Sequence, residues 1–332
     1  MNVLVTGASG FIGSFLVERL LEEGISVRAL VLPGEDSGAL RQKGVDVYYG
    51  DLRVPGDIKG LCKDIDIVYH LAGRVTDWGA RSDFYLAIYS ATRNLLEESK
   101  GKVKTFVYIS SIAACGLGRH LLGQKEDDAC FKTGVPYGDA KLDTERLAFT
   151  YHARRYFDLT VVRPANVIGP GSVWVKDIVD RFNTMFVPLI DHGIHSGSFV
   201  YVENLVDGIV LAGTRDISKG RIYHFRDDWD VTWKGYLYDL GAIVGKSPRS
   251  NLSFSLAWHL GSFMERILTP MGIRPPITRL AAGAMGRNND VDTQRARTEL
   301  GWKTRISYED AMEKIRNWVS LKLLKGEGHG LD

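Results

Sequence analysis

Cysteine is scarce in this chain. The 332 residues contain three, Cys62, Cys115 and Cys130, odd in number and far apart. That excludes a disulfide framework and fits a reducing compartment, so a cytoplasmic location is expected. An excess of charge of one sign is also lacking: 42 Lys and Arg oppose 40 Asp and Glu, a net +2. No basic cluster is interleaved with aromatics, so nothing calls for nucleic acid or an acidic partner. Long apolar runs are absent. The nearest approach, Leu252 to Leu268, is interrupted by His259, Glu265 and Arg266, which suits an amphipathic helix rather than a bilayer span. A strand begins within the first residues, so no signal peptide is expected. Metal-ligand spacing is missing as well. His192 and His195 flank Gly193-Ile194 with no cysteine or carboxylate cluster to join them, and no metal is expected.

What is present starts at once. Val3 to Val5 reads as a buried strand and runs into Thr6-Gly7-Ala8-Ser9-Gly10-Phe11-Ile12-Gly13. An amphipathic helix follows, from Phe11 to Glu23. Strand, glycine turn and helix together are the context of a dinucleotide fingerprint. Gly7 permits the turn, Gly10 admits a pyrophosphate and Gly13 lets the helix approach the strand. The free N–H groups of the helix then face the phosphates.

Strand and helix patterns alternate through the first half. Val27 to Leu32, Asp46 to Tyr49, Ile65 to His70, Thr105 to Ile109 and Leu159 to Val162 read as strands. Tyr85 to Ser99 and Tyr137 to Arg155 read as helices. Repeated βα units predict an α/β fold, a Rossmann-type doubly wound parallel sheet. Past Arg163-Pro164 the pattern loosens. Phe199 to Val202 and Arg221 to Phe225 look like further strands, and Tyr308 to Leu324 like a last helix with Met312, Ile315 and Val319 inward. The expected organisation is a dinucleotide-binding domain over 1–166, rejoined by 196–225. A smaller mixed substrate lobe takes 167–195 and 226–324, and a frayed tail takes 325–332.

Tyr137 and Lys141 are four apart on a helix and so share a face. Ser110-Ser111 ends a strand, at the edge where a parallel sheet binds ligand. A free tyrosine ionises near ~10, too high for a base at neutral pH, and a nearby ammonium would lower that value. Tyr137 could then exchange a proton with a substrate hydroxyl or carbonyl, Lys141 could activate it and bond a ribose, and Ser111 could hold the substrate oxygen.

These segments resemble the extended short-chain dehydrogenases/reductases, the NAD-dependent epimerase/dehydratase superfamily, along nearly the whole chain. The resemblance rests on the glycine turn, Gly50-Asp51-Leu52, His70-Leu71-Ala72-Gly73, Ser110-Ser111, Tyr137 with Lys141, and Arg163-Pro164-Ala165-Asn166-Val167-Ile168-Gly169-Pro170-Gly171. It extends through Phe199-Val200-Tyr201-Val202-Glu203-Asn204 and Glu299-Leu300-Gly301-Trp302. It implies catalysis by Ser111, Tyr137 and Lys141. It implies a cofactor site made of Gly7, Ser9, Gly10, Phe11, Ile12, Gly13, Asp51, Leu52, Leu71, Ala72, Gly73, Tyr137, Lys141 and Pro164. Nucleotide-sugar epimerases usually carry an arginine where this chain has Gly197, so the likeness leans to the 3β-hydroxysteroid dehydrogenase-like branch. Strand two ends in Val31-Leu32, without the acid that grips a ribose 2′-hydroxyl, which leans to NADP over NAD. Where the family often has an asparagine, this chain has Ile88.

The expected activity is therefore an NAD(P)-dependent interconversion of a secondary alcohol and a ketone on a small, rather apolar, steroid-, lipid- or keto acid-like substrate, by a homodimer. Trp78, Asn166, Ser172 and Trp174 are candidates to touch that substrate. A nucleotide-sugar epimerase or dehydratase with retained NAD is the alternative. A non-catalytic dinucleotide sensor is a third possibility, although such proteins often lose the tyrosine or lysine. Cys115 has no obvious group to lower its pKa, which argues against a catalytic thiol.

Overall fold

The computed structural model describes residues 1–184 and 187–324. Seven strands form one parallel sheet: β1 (Asn2–Thr6), β2 (Ser26–Val31), β3 (Asp46–Tyr49), β4 (Ile67–His70), β5 (Thr105–Ile109), β6 (Asp158–Pro164) and β7 (Arg221–Phe225). Their order is β7-β6-β5-β4-β1-β2-β3. Alternation along a strand sends side chains to opposite faces, and both faces are apolar here. Val3 and Val5 of β1 join one core, while Leu4 joins another with Val68, Phe106 and Val161. A sheet buried on both sides must be covered by helices on both sides.

Strand order reverses between β1 and β4, where Thr6 stands opposite His70. A crevice opens at the carboxyl ends of the strands at such a switch point. Helix α1 (Phe11–Glu22) starts at that edge directly after β1, and α2 (Pro136–Ala153) runs between β5 and β6 in the chain.

The structure departs from the sequence reading in three places. Phe199–Tyr201 is a strand, but it pairs with Asn166–Ile168 outside the main sheet, and Val202 opens a helix, Val202–Thr214. Tyr85–Ser90 is a π-helical turn between the α-helical segments Arg81–Phe84 and Ala91–Ser99. Two further parallel pairs, Leu121–Gln124 with Asn289–Val291 and Leu189–Ile190 with Asn251–Leu252, fasten the later residues to the earlier ones.

Met312, Ile315 and Val319 are buried on the last helix. The helix Phe254–Leu268 lies on the surface with only Ala257 and Gly261 buried. Among the described residues no helix is long and apolar enough to cross a membrane. The expectation of a frayed tail at 325–332 falls outside the described residues.

Candidate active site

The glycine turn has the shape a diphosphate requires. Gly7 has φ +70°, and a Cβ on Gly13 would stand 1.9 Å from the Gly7 carbonyl oxygen, so the helix can sit this close to the strand only with glycine there. Gly10 caps α1 without a side-chain hydrogen bond. Ser9 and Gly10 are exposed. The first N–H groups of α1 therefore point into open space, where an anion can take them. The residues present fit a dinucleotide.

The second wall is the turn after β4. His70 is fully buried and bridges Thr6 through Nδ1 and Thr92 through Nε2, both at 2.7 Å. Burial drives its pKa down to about 3, with the Lys141 charge adding to the shift, so the ring is neutral. The Ala72 amide in turn donates to the Thr6 hydroxyl at 3.2 Å. These bonds fix Leu71, Ala72 and Gly73 against the glycine turn. Asp51 is held by Arg53, whose Nε donates at 2.9 Å and keeps the carboxyl below its usual range. The Leu52 carbonyl accepts from Asn94 at 2.8 Å. Pro164 closes β6 and is buried.

Ser111, Tyr137 and Lys141 converge at the end of β5. Ser111 caps the 3₁₀ turn Ile112–Cys115, its hydroxyl accepting from the Ala113 amide at 3.1 Å. The phenol of Tyr137 lies close enough to the Ser111 side chain to feel it. One residue makes this meeting possible and carried no signal of its own in the sequence. A Cβ on Gly138 would stand 2.5 Å from the Ala113 carbonyl oxygen, so α2 can lie against the Ser111 turn only with glycine at 138.

The electrostatics differ from expectation. Burial pushes the Tyr137 phenol above its ordinary value, and the Ser111 side chain only partly offsets that. The ammonium of Lys141 lies 6.0 Å from the phenol ring centre and donates to the Ile109 carbonyl at 2.7 Å. It is itself pushed down to about 8 by burial, against the pull of Glu145. Lys141 thus positions the strand end, and the phenol is in its neutral, proton-donating form at pH 7. Ile109, not a residue at position 88, supplies the lysine's support.

Beneath the site lies a buried network that the sequence did not announce. Glu145, a further turn along α2, receives Arg163 Nη2 at 2.6 Å and bonds the Ser110 hydroxyl. Arg163 also reaches His224 at 3.4 Å, and His224 lies 3.9 Å from the Cys115 sulfur. The Cys115 and Cys130 thiols are close neighbours. That contact raises Cys115 well above the ordinary thiol value and lowers Cys130 to about 7.

The candidate substrate residues have differing surroundings. The Asn166 amide is spent on the Gly197 carbonyl at 2.7 Å. Trp174 packs edge-on against Trp233, 5.1 Å between ring centres. Ser172 is buried, its hydroxyl without a hydrogen-bond partner. Trp78 lies half-buried in the loop after Gly73. His192 bonds Asn251 and His195 faces Asp191. No group of three metal-binding side chains converges among the described residues.

A seven-stranded parallel sheet with a glycine turn, a strand-end serine and a Tyr-Lys helix admits several families, and the sequence profile decides among them. That of the NAD-dependent epimerase/dehydratase family matches residues 3–224. The chain belongs to this family. It is an enzyme of the extended short-chain dehydrogenase/reductase superfamily. Among its curated relatives is a 4-hydroxy-2-methyl-3-oxo-4-farnesyl-3,4-dihydroquinoline-1-oxide ketoreductase of Stigmatella aurantiaca, 28% identical over 95% of this chain and 96% of that one. The decarboxylating sterol-4-alpha-carboxylate 3-dehydrogenase of Homo sapiens is 25% identical over 97% of this chain and 89% of its own. Among solved structures, the UDP-glucose 4-epimerase of Thermotoga maritima with UDP-glucose has the same fold. It has a TM-score of 0.78 and 23% identity, covering 97% of this chain and all of that one.

Proposed function

We propose that this family member interconverts a secondary alcohol and a ketone on a small, rather apolar substrate, with NAD as the cofactor. The carrying observation is the Ser111 hydroxyl set beside the Tyr137 phenol at the end of β5, with Lys141 on the same face of α2. When bound there, the dinucleotide supplies or accepts the hydride. The Ser111 hydroxyl holds the substrate oxygen. The neutral Tyr137 phenol donates its proton to that oxygen as a ketone is reduced, and Lys141 keeps the Ile109 end of β5 in place.

Two observations narrow the reading. Position 197 supports an alcohol or ketone substrate over a sugar nucleotide. A Cβ on Gly197 would stand 1.9 Å from the Phe199 ring, so the diphosphate-clamping arginine of the epimerases has no room there. The cofactor preference changes from the NADP lean of the bare sequence. Glu35, four residues past the end of β2, folds back and accepts hydrogen bonds from the Leu32 amide and the Ser9 hydroxyl. A carboxylate at that place bonds a ribose 2′-hydroxyl and repels a 2′-phosphate. The names of the Stigmatella and human relatives, a ketoreductase and a dehydrogenase, agree with the reaction class.

The test follows NADH absorbance with a panel of aliphatic and alicyclic ketones. Tyr137→Phe abolishes turnover yet leaves NADH binding, read by fluorescence, unchanged. Full turnover in that variant would sink the assignment. Tightly retained NAD with no net change in NADH would favour the epimerase alternative.

A further inference from the structure

The helix Phe254–Leu268 is amphipathic in the reverse sense. Its packed side is made of small and flat groups. Ala257 and Gly261 are buried, and a Cβ on Gly261 would stand 3.0 Å from the backbone at Thr278 and Arg279. The Trp258 ring lies so close over Gly118 that a Cβ there would collide with it. The opposite side carries the large apolar side chains. Leu256, Leu260, Phe263 and Ile267 fall on one stripe by helical spacing. Phe263 is 61% exposed, Leu256 53% and Ile267 46%, and past the helix end Met271 and Ile273 are exposed as well. Single apolar residues on a surface are ordinary, but a stripe along the outward face of a helix marks a contact surface.

The charge beside the stripe has one sign. Between Gly245 and Arg287 the only acid is Glu265, and it is paired with Arg279 at 2.7 Å. Arg266, in the last turn, borders the stripe beside Phe263. Lys246 and Arg249 lie in the stretch that leads into the helix. All three are exposed and make no ion pair among the described residues. Long basic side chains beside an apolar face lay their methylenes along it and keep their charge in the polar layer. The helix also stands at the rim of the crevice. Trp258 covers Gly118, in the loop that follows the Ser111 turn. Arg274 and Thr278, just past the helix, hold Asp77 in the loop after Gly73, at 2.9 and 3.2 Å. Both loops leave the ligand edge of the sheet.

We propose that this face docks the protein on a membrane surface bearing anionic phospholipids, with the helix lying in the plane of the headgroups. The apolar stripe enters the boundary of the acyl chains, and Arg266, Lys246 and Arg249 meet lipid phosphates. A second copy of the chain fits this face less well. A two-fold contact sets the same patch against itself, so the unpaired basic groups would meet like charges. Docking needs only the helix and its charges, and it stands or falls apart from the oxidoreductase reading.

Flotation of the full chain with lipid vesicles tests it. One set is phosphatidylcholine alone, and the other holds roughly one-third phosphatidylglycerol to supply the anionic surface. The wild type should float with the mixed vesicles and much less with the neutral ones, and added salt should weaken the binding. Arg266→Gln should lower the affinity about fivefold, the effect of one basic residue at an anionic surface. Phe263→Ser combined with Ile267→Ser should lower it about a hundredfold or more. Ile217→Ser is the control. Ile217 is 53% exposed on the turn Asp216–Ser218, where Ser218 bonds Thr160 at the start of β6, the far edge of the sheet. That variant should bind like the wild type. Thermal melts show that the variants are folded. Absence of flotation, equal flotation with phosphatidylcholine alone, or unchanged flotation of the double variant overturns the proposal. A wild-type dimer in sedimentation that the double variant dissociates overturns it in favour of a second copy.

Discussion

The Ser9 hydroxyl donates to the Glu35 carboxylate at 3.2 Å. This one bond joins the loop after β2 to the glycine turn after β1 and sets an acid beside that turn. Glu35→Ala should therefore raise the affinity for NADPH relative to NADH by about tenfold or more, the scale of one charge repulsion relieved. Fluorescence titration with the two cofactors reads it. An unchanged ratio would remove Glu35 from cofactor selection.

Gly138→Ala tests the close approach of α2 to the Ser111 turn. The new methyl would meet a backbone carbonyl at 2.5 Å, so the helix must shift. The stability cost should be about 1–3 kcal/mol. Because Tyr137 moves with the helix, turnover should fall about a hundredfold while NADH binding holds. Thermal melts, turnover rates and cofactor titration separate these effects.

Lys141 leaves a signature in the pH dependence of stability. Its pKa is about 8 in the folded chain and 10.5 when free. Below pH 8 both states are protonated and the folded one bears the full burial penalty, up to about 3 kcal/mol. Above pH 8 the folded state releases its proton while the unfolded state retains it, so stability rises with pH toward 10. Lys141→Met should lack that rise, and its melting temperature relative to wild type should be highest near pH 7 and decline by pH 10. A difference that does not change with pH would contradict the buried ammonium.

The Glu145–Arg163 pair is almost wholly buried. Glu145→Gln leaves a guanidinium without its counter-charge and should cost about 3–5 kcal/mol in denaturant unfolding. Replacing both partners, Glu145→Leu with Arg163→Met, should recover most of it, since the penalty comes from the unpaired charge.

Cys130 should be the reactive thiol. With a pKa of about 7, against about 11 for Cys62, it should be alkylated by iodoacetamide first, with a midpoint near pH 7. Peptide mass mapping of a brief pulse at several pH values identifies the labelled site.

Much of the fold was legible because its signals are local. Val3 to Val5 before Gly7 and Gly10, and the β-branched runs at β5 and β6, are strands by pattern alone. The pairing of Tyr137 with Lys141 follows from helical spacing. The π turn at Tyr85–Ser90 and the helix start at Val202 escaped because neither residue type marks a change of helical winding or a switch from strand to helix. Asn166 and Trp174 read as candidate substrate contacts because they lie near the lobe boundary in the chain; which groups they meet, the Gly197 carbonyl and the Trp233 ring, follows only from the fold.

By itself, the sequence determined the alternating strands and helices, the glycine turn and the three side chains proposed for catalysis, because each depends on spacing within a few residues. Tertiary structure alone decided that Glu35 returns to the cofactor edge and that Lys141 bonds Ile109 and leaves the phenol neutral. Those outcomes depend on which distant groups share a desolvated space, and a linear order of residues does not encode burial or distance directly.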